Sequence, residues 1–253
     1  MTSEGLFAGT SAFYARFRPG YPKAFFDDLI HRFSLDGTGR LLDLGCGTGQ
    51  LTIPLAGHVE QAIGMDPDPD MLTEAAALSE AGNLTWVHGG SADLPGDLGR
   101  FRLVTMGRSF HWMDRTRALE ALAGMVEDEG GLVIANDGCL ALAYTPWRHV
   151  VEDVQKRFLG PLPARSGTVR EPHEAVLARS RFRDVTRLVH EYERTWTVDQ
   201  IIGYLYSTSL PLRRLLADRR PAFEQALTDA LLATTPDSHF TEPVTLEVLT
   251  AHP

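Results

Sequence analysis

The chain has 253 residues, of which 43% are hydrophobic and 23% are charged. This length and composition indicate a soluble globular protein of one large or two small domains, and they exclude collagen-like and disordered classes. Lysine and arginine total 24 against 33 aspartate and glutamate, so the formal net charge is −9. An acidic chain disfavours binding to nucleic acid or to anionic membrane surfaces, because both depend on clustered basic residues.

The cysteine content and the N-terminus indicate the compartment. Cys46 and Cys139 are too few for a disulfide framework or a cysteine-rich zinc site, and no metal site is predicted. The first residues lack the basic and apolar regions of a signal peptide. No run approaches the about 18 consecutive apolar residues of a membrane-spanning helix. We therefore expect a cytoplasmic protein.

The first half of the chain predicts alternating helices and strands. Apolar residues recur at helical spacing between residues 25 and 33, which indicates an amphipathic helix that ends before Gly37. The predicted strands are residues 40–44, 61–66, 84–88, 101–106 and 131–135, and the predicted helices are residues 50–57, 68–81 and 116–126. This alternation is typical of βαβ units. It predicts a doubly wound parallel sheet with ligands at the carboxyl ends of its strands.

The second half of the chain is richer in predicted helix. A helix is predicted over residues 145–158 and a strand over residues 185–196. Residues 198–233 are predicted to be largely helical, with breaks at prolines, and residues 243–249 alternate apolar and polar side chains as a half-exposed strand does. We predict an α/β core with a helical insertion before its last strand. A separate second domain is the alternative.

A glycine-rich turn carries the first functional signal. The motif Gly-Cys-Gly-Thr-Gly at residues 45–49 follows a predicted strand and opens a helix, where glycine lets the backbone approach a ligand closely. Asp66 follows 21 residues after Gly45, at the end of the second predicted strand. A carboxylate there can accept both hydroxyls of a ribose. The alternative is that Asp66 caps the helix that starts near Asp68.

Two residues distinguish between the ribose-bearing cofactors. The dinucleotide fingerprint has a glycine at its sixth position, where this chain has Gln50. Asp43 adds a negative charge beside the loop, which would repel a pyrophosphate and tolerate the ammonium and sulfonium of S-adenosylmethionine. The charge balance therefore favours the methyl donor over NAD.

These motifs resemble those of a known family. Residues 41–49 resemble motif I of the class I S-adenosylmethionine-dependent methyltransferases, residues 64–66 their second motif, and residues 90–95 their adenine-contacting motif. Residues 13–22 and 109–114 resemble a branch, similar to the type 11 methyltransferases, that acts on small molecules. The resemblance implies a Rossmann-like, mostly parallel seven-stranded sheet.

The resemblance also implies a set of donor-binding residues, which comprises Tyr14, Arg18, Gly45, Cys46, Gly47, Asp66, Ala92, Asp93 and Phe110. The glycines would line the methionine and ribose part of the donor, and Asp66 would hold the ribose hydroxyls. Asp93 would accept a hydrogen bond from the adenine amino group, with Ala92 making backbone contacts. Tyr14 and Arg18 would reach the donor carboxylate. Alternatively, Asp93 is a turn residue, and the aromatic segment around Tyr14 only packs over the sheet edge.

His111 is the candidate catalytic residue. It follows the fourth predicted strand, and a histidine can take the proton that an oxygen or nitrogen acceptor loses near neutral pH. Alternatively, His111 only shapes the donor pocket between its two aromatic neighbours.

The resemblance divides a single domain into three parts. Residues 1–36 would form a helical segment over the donor site, residues 37–137 the donor-binding core, and residues 145–240 the acceptor-side helices and a lid. The aromatic residues of the last part, together with Tyr144 just before it, are expected to be mostly core.

We predict an S-adenosylmethionine-dependent methyltransferase that methylates an oxygen or nitrogen atom of a small molecule, such as a secondary metabolite, and releases S-adenosylhomocysteine. The alternatives are an NAD(P)-dependent oxidoreductase and a non-catalytic S-adenosylmethionine-binding module. No nucleic acid or membrane partner is expected, because the charge is acidic and the turn after the fourth strand lacks the motif that binds a flipped base. The identity of the acceptor and the oligomeric state stay open.

Overall fold

The computed structural model of the protein describes residues 9–137, 145–161, 171–235 and 237–253. The expectations for the first residues, for Cys139 and for Tyr144 lie outside the described residues. The described strands are β1 (Arg40–Leu44), β2 (Gln61–Asp66), β3 (Leu84–His88), β4 (Phe101–Gly107), β5 (Val126–Asp137), β6 (Asp184–Trp196) and β7 (Phe240–His252). The described helices are α1 (Ser11–Phe17), α2 (Lys23–Arg32), α3 (Thr52–Ala56), α4 (Pro69–Leu78), α5 (Arg115–Leu122), α6 (Pro146–Leu159), α7 (His173–Leu177), α8 (Val198–Tyr206), α9 (Leu212–Leu216) and α10 (Arg220–Thr234).

The seven strands form one sheet in the order β3-β2-β1-β4-β5-β7-β6. Strands β1 to β5 pair in parallel, whereas β7 runs antiparallel to both β5 and β6. The predicted fold, a doubly wound and mostly parallel seven-stranded sheet with a helical insertion before its last strand, is confirmed. Parallel strands place their carboxyl ends at one edge, and the strand order reverses between β1 and β4, where such sheets bind ligands.

The central strands of the sheet are buried on both faces. Successive side chains of a strand point to opposite faces, so Leu42 and Leu44 pack in a cluster with α5, whereas Leu41 packs in a second cluster with α2 and α3. Both faces exclude water, which is why the parallel strands are nearly continuous apolar runs.

A third core lies outside the sheet. Helices α6, α8, α9 and α10, which we call the helical cap, share a buried cluster that includes Trp147, Trp196, Tyr204 and Tyr206. The prediction that the aromatic residues of this part are mostly core is therefore confirmed for the described ones. Strands β6 and β7 pair as far as Trp196 and Phe240, beyond the end of β5, and so extend as a two-stranded ribbon toward the cap.

Predicted boundaries differ from the structure by several residues at α4, α5 and β5. The helix predicted over residues 68–81 ends at Leu78, and the helix predicted over residues 116–126 ends at Leu122. A turn follows Leu122, and Val126 then pairs with Phe101. Strand β5 therefore begins at residue 126 and not at the predicted residue 131. No described helix combines the length and apolarity needed to cross a bilayer.

Candidate functional site

A cavity of about 890 Å³ lies at the carboxyl ends of β1, β2 and β4. Six of the predicted donor-binding residues line it, namely Tyr14, Gly45, Gly47, Asp66, Ala92 and Asp93. The size falls within the range of small-ligand sites, which is about 300–1,000 Å³. The sheet topology therefore brings together the residues that sequence reasoning selected from four separate segments.

The glycine loop has a conformation that only glycine tolerates. Gly45 has φ 73°, and a Cβ there would lie 2.5 Å from the Cβ of Ser109. Gly47 has φ 54°, and a Cβ there would lie 3.3 Å from the ring of Tyr14. The loop therefore passes close beneath the residues after β4 and beneath α1, with its backbone exposed to the cavity.

Asp66 joins this loop to the end of β2. Its Oδ2 accepts the N–H of Gly47 at 2.8 Å, and its Oδ1 accepts the N–H of Asp68 at 2.9 Å. Burial raises the pKa of this carboxyl group, and the two N–H donors act in the opposite direction. Each carboxylate oxygen retains a second acceptor site toward the cavity. The alternative that Asp66 caps α4 is wrong, because the side chain of Asp68 caps it by accepting the N–H of Asp70 at 3.0 Å.

Asp93 is a turn residue that also lines the cavity, and its contact with the adenine stays a prediction. Its Oδ2 accepts the N–H of Gly90 at 2.8 Å and so closes the 3₁₀ turn Ser91–Asp93. The same residue and Ala92 line the cavity. A turn residue can thus also present its carboxylate to a ligand.

Cys46 and Phe110 lie beneath the cavity and do not line it. The Cys46 thiol is buried and packs where a Cβ of Gly64 would lie 3.0 Å from its sulfur, and burial raises its pKa well above the usual value. Phe110 is fully buried, with its ring 5.1 Å from that of His173. Both side chains pack below the loops and outside the cavity lining. Their contact with the donor stays a prediction.

Tyr14 and Arg18 occupy the opposite wall. Tyr14 lines the cavity, whereas the Arg18 guanidinium stacks on the Tyr14 ring at 4.7 Å and donates to the carbonyl oxygen of Ser207 at 3.2 Å. Arg18 therefore lies behind Tyr14 and connects it to the residue that follows α8. A direct contact between Arg18 and the donor carboxylate stays a prediction.

His111 also lies outside the cavity lining, with its ring 4.9 Å from that of Trp112, which does line it. Burial, together with the positive environment of His173 and Arg115, lowers the pKa of His111 to about 4. His111 is thus uncharged at neutral pH and can accept a proton. A group with so low a pKa is a weak base at neutral pH, and the base role stays a prediction.

Sequence reasoning missed several residues after β4 that line the cavity, among them Ser109, Trp112 and Met113. Phe110–Trp112 is a 3₁₀ turn, in which residues three apart lie on the same side. Ser109 and Trp112 therefore face the cavity, and Phe110 and His111 turn away from it. The motif marked this segment as part of the site, but it did not indicate which of its side chains face the cavity.

Comparison with known proteins agrees with this geometry. A family model described as a methyltransferase domain matches residues 41–130. An uncharacterised methyltransferase of Mycobacterium tuberculosis is 33% identical over 120 residues, which are 47% of this chain and 46% of that protein. The match therefore spans about half the length of the curated relatives.

Two solved structures share the fold over nearly the whole chain. A methyltransferase of Geobacter sulfurreducens in complex with S-adenosyl-L-homocysteine has a TM-score of 0.55 at 18% identity and covers 98% of this chain and 97% of its own. A methyltransferase of Thiobacillus denitrificans in complex with the same compound has a TM-score of 0.52 at 15% identity, with 100% of both chains covered. The chain therefore has the fold of these two methyltransferases.

The structure also contains a buried ion network that sequence reasoning missed. The Asp137 carboxylate, fully buried at the end of β5, accepts from Arg108 Nη2 at 2.8 Å and from Arg194 Nη2 at 2.9 Å. Arg194 also donates to Glu242 Oε1 at 3.1 Å. Burial would raise the pKa of Asp137, but the two guanidinium groups outweigh it and lower the pKa to about 2. Arg108 lines the cavity and donates to the carbonyl oxygen of Pro19 at 3.0 Å.

Asp43 lies below the glycine loop and does not line the cavity. Its two carboxylate oxygens accept the hydroxyls of Thr52 at 2.6 Å and Thr105 at 2.8 Å. Burial outweighs these hydrogen bonds and raises its pKa to about 6. Asp43 therefore connects β1 to α3 and β4, and it contributes a partial negative charge from beneath the site rather than a direct contact.

The raised pKa of Asp43 predicts a pH dependence of stability. The protonated group favours folding, and this contribution is lost as pH rises from about 4 to about 6. Asp43→Asn removes the titration. The free energy of unfolding of the wild type, minus that of the variant, should therefore fall by about 2–3 kcal/mol from acidic to neutral pH. Urea unfolding measures both values. Asp97→Asn, at an exposed position, is the control. A constant difference between wild type and Asp43→Asn across that pH range would contradict the prediction.

Proposed function

We propose that the protein is an S-adenosylmethionine-dependent methyltransferase that methylates an oxygen or nitrogen atom of a small molecule. The observation that carries this proposal is the Asp66 carboxylate, which the Gly47 N–H orients at the end of β2. Its remaining acceptor sites fit the two hydroxyls of a ribose. The glycine loop fits as well, since Gly45 and Gly47 line the cavity with their backbone alone.

The loop amides favour the methyl donor over a dinucleotide. The N–H groups of Gly45 and Cys46 donate to the carbonyl oxygen of Met65, and that of Gly49 donates to Cys46. The N–H of Gly47 donates to Asp66. A pyrophosphate site depends on loop N–H groups that are available to the anion, and here four of them have protein acceptors. A neutral or cationic ligand has no such requirement.

Each residue then has a defined part in the reaction. The donor supplies a methyl group on a sulfonium, and its C–S bond breaks as the bond to the acceptor atom forms. Asp66 holds the ribose, Asp93 and Ala92 contact the adenine, and Tyr14 covers the glycine loop. These contacts align the reacting atoms, and alignment accounts for most of the catalysis of an in-line displacement. The proton of the acceptor passes to a base, for which His111 is the candidate.

The acceptor is proposed to be a small molecule because the cavity is concave and the chain is acidic. The net charge of −9 opposes a polyanionic acceptor. The helical cap lies on the acceptor side and is proposed to act as a lid. The paucity of cysteines supports a reducing, cytoplasmic location.

Calorimetric titration tests this proposal. S-adenosylhomocysteine is expected to bind the wild type, and NAD is not; tight binding of NAD would favour an oxidoreductase instead. A screen of metabolites for release of S-adenosylhomocysteine then identifies the acceptor. Binding without turnover of any acceptor would favour a non-catalytic module.

The base role of His111 predicts a specific pH profile. The pKa of His111 is lowered to about 4. We therefore expect that kcat does not fall as pH drops through 6.5, the usual pKa of histidine. His111→Gln should lower kcat by about 100-fold at unchanged affinity for S-adenosylhomocysteine. His31→Gln, at an exposed position on α2, is the control. An unchanged kcat in His111→Gln would reject the base role.

A further inference from the structure

Helix α1 carries Tyr14 into the donor site but has little stability of its own. It has seven residues, its N-cap makes no side-chain hydrogen bond, and none of its residues is fully buried. An isolated helix of this length is not stable in water, because nucleation is unfavourable and tertiary packing has to supply the difference. The position of Tyr14 therefore depends on what α1 packs against.

Helix α1 packs against α8, in the helical cap, and also against α4. The Phe17 ring occupies the space above Gly203, where a Cβ would overlap the ring. Phe13 makes an edge-to-face contact with Tyr206, with ring centroids 5.4 Å apart. Arg18 donates to the carbonyl oxygen of Ser207. Three successive contacts thus attach α1 to one helix that is distant in sequence.

The Phe17 contact requires a glycine. Gly203 lies inside α8, is buried, and has no positive φ that would require glycine for the backbone. A glycine inside a helix destabilises it by about 1 kcal/mol relative to alanine. The close approach of the Phe17 ring is what offsets this local disadvantage. Gly203 therefore allows α1 to pack closely against α8, although it lowers the stability of α8 itself.

The other face of α1 covers the donor site. The Tyr14 ring lies 3.3 Å from the position of a Cβ at Gly47, and Tyr14 lines the cavity. One short helix therefore contacts the glycine loop on one side and the helical cap on the other. The donor site is complete only while α1 is docked.

We propose that Phe17 and Gly203 are positioning residues, and that the helical cap sets the affinity for the donor nucleoside by holding α1, and with it Tyr14, over the glycine loop. This inference rests on the proposed function, since it concerns binding of the methyl donor. Apparent affinity falls in proportion to the fraction of molecules in the competent state. Undocking α1 in nine molecules of ten therefore weakens donor binding about tenfold.

The substitution Gly203→Ala tests the proposal. It should stabilise α8 locally, yet displace the Phe17 ring, and so weaken binding of S-adenosylhomocysteine about tenfold or more, measured by calorimetry. The unfolding temperature of the ligand-free protein should stay unchanged or rise. Gly20→Ala is the matched control, because Gly20 lies in the same N-terminal segment and a Cβ there meets nothing within 4 Å. Binding by Gly203→Ala equal to that of the wild type overturns the proposal.

A double-mutant cycle separates positioning from a general structural defect. Phe17→Ala alone should also weaken binding, but in the Phe17→Ala background the change Gly203→Ala has no ring to displace and should alter affinity by less than about twofold. If Gly203→Ala weakens binding equally in both backgrounds, or lowers the unfolding temperature in both, the proposal is wrong.

Trypsin gives a readout that does not depend on the ligand. Cleavage after Arg16 should be faster in Gly203→Ala than in the wild type or in Gly20→Ala, because α1 is undocked. An unchanged cleavage rate overturns the inference. If the wild type does not bind S-adenosylhomocysteine, the proposed function fails instead, and the trypsin result still reports whether α1 is docked through Gly203.

Discussion

Asp66→Ala is expected to abolish measurable binding of S-adenosylhomocysteine at concentrations that saturate the wild type. The substitution removes the proposed acceptor for two ribose hydroxyls and the acceptor of the Gly47 N–H. A hydrogen bond to a charged group contributes about 1.5–3 kcal/mol, so two of them correspond to a loss of affinity of about 100-fold to 10⁴-fold. Calorimetric titration measures the change directly.

The control for Asp66→Ala is a variant that removes the same charge elsewhere. Asp97 is exposed and lies outside the cavity. The Asp97→Ala variant should therefore bind S-adenosylhomocysteine as the wild type does. An Asp66→Ala variant that stays folded and binds within about threefold of the wild type would remove the main support for the proposed donor site.

Asp137→Ala is expected to have the largest effect on stability. It would leave the buried guanidinium groups of Arg108 and Arg194 without their shared carboxylate. Removal of one partner from a buried ion pair destabilises a protein by about 3–5 kcal/mol, because the remaining charge is uncompensated in a low-dielectric environment. The free energy of unfolding, measured with urea at neutral pH, should fall by this amount.

A surface ion pair provides the comparison. Asp128 pairs with Arg100 at 2.7 Å, but its side chain is 90% exposed. Asp128→Ala should therefore change the free energy of unfolding by less than about 1 kcal/mol. Similar effects of Asp137→Ala and Asp128→Ala would show that the buried network does not stabilise the junction between the sheet and the ribbon formed by β6 and β7.

The sheet and the core of the site were predictable because their signals are local. A buried parallel strand is a short apolar run between turn residues, and β1, β2 and β3 begin and end at the predicted residues. The glycine loop and Asp66 follow directly from those strands, since the carboxyl ends of adjacent parallel strands meet. The ends of α4 and α5 were less predictable, because helix-forming residues continue after the backbone has left the helix.

The sequence by itself determined the fold class, the glycine loop, and the carboxylate at the end of β2 that we propose to bind the nucleoside. Only the tertiary structure decided which residues after β4 face the cavity, because the rotation of a 3₁₀ turn is not encoded in its composition. It alone joined Arg108, Asp137 and Arg194, which lie far apart along the chain, into one buried network. It alone paired Phe17 with Gly203. Such contacts depend on loop closure and packing across the whole chain, and no local pattern of residues reports them.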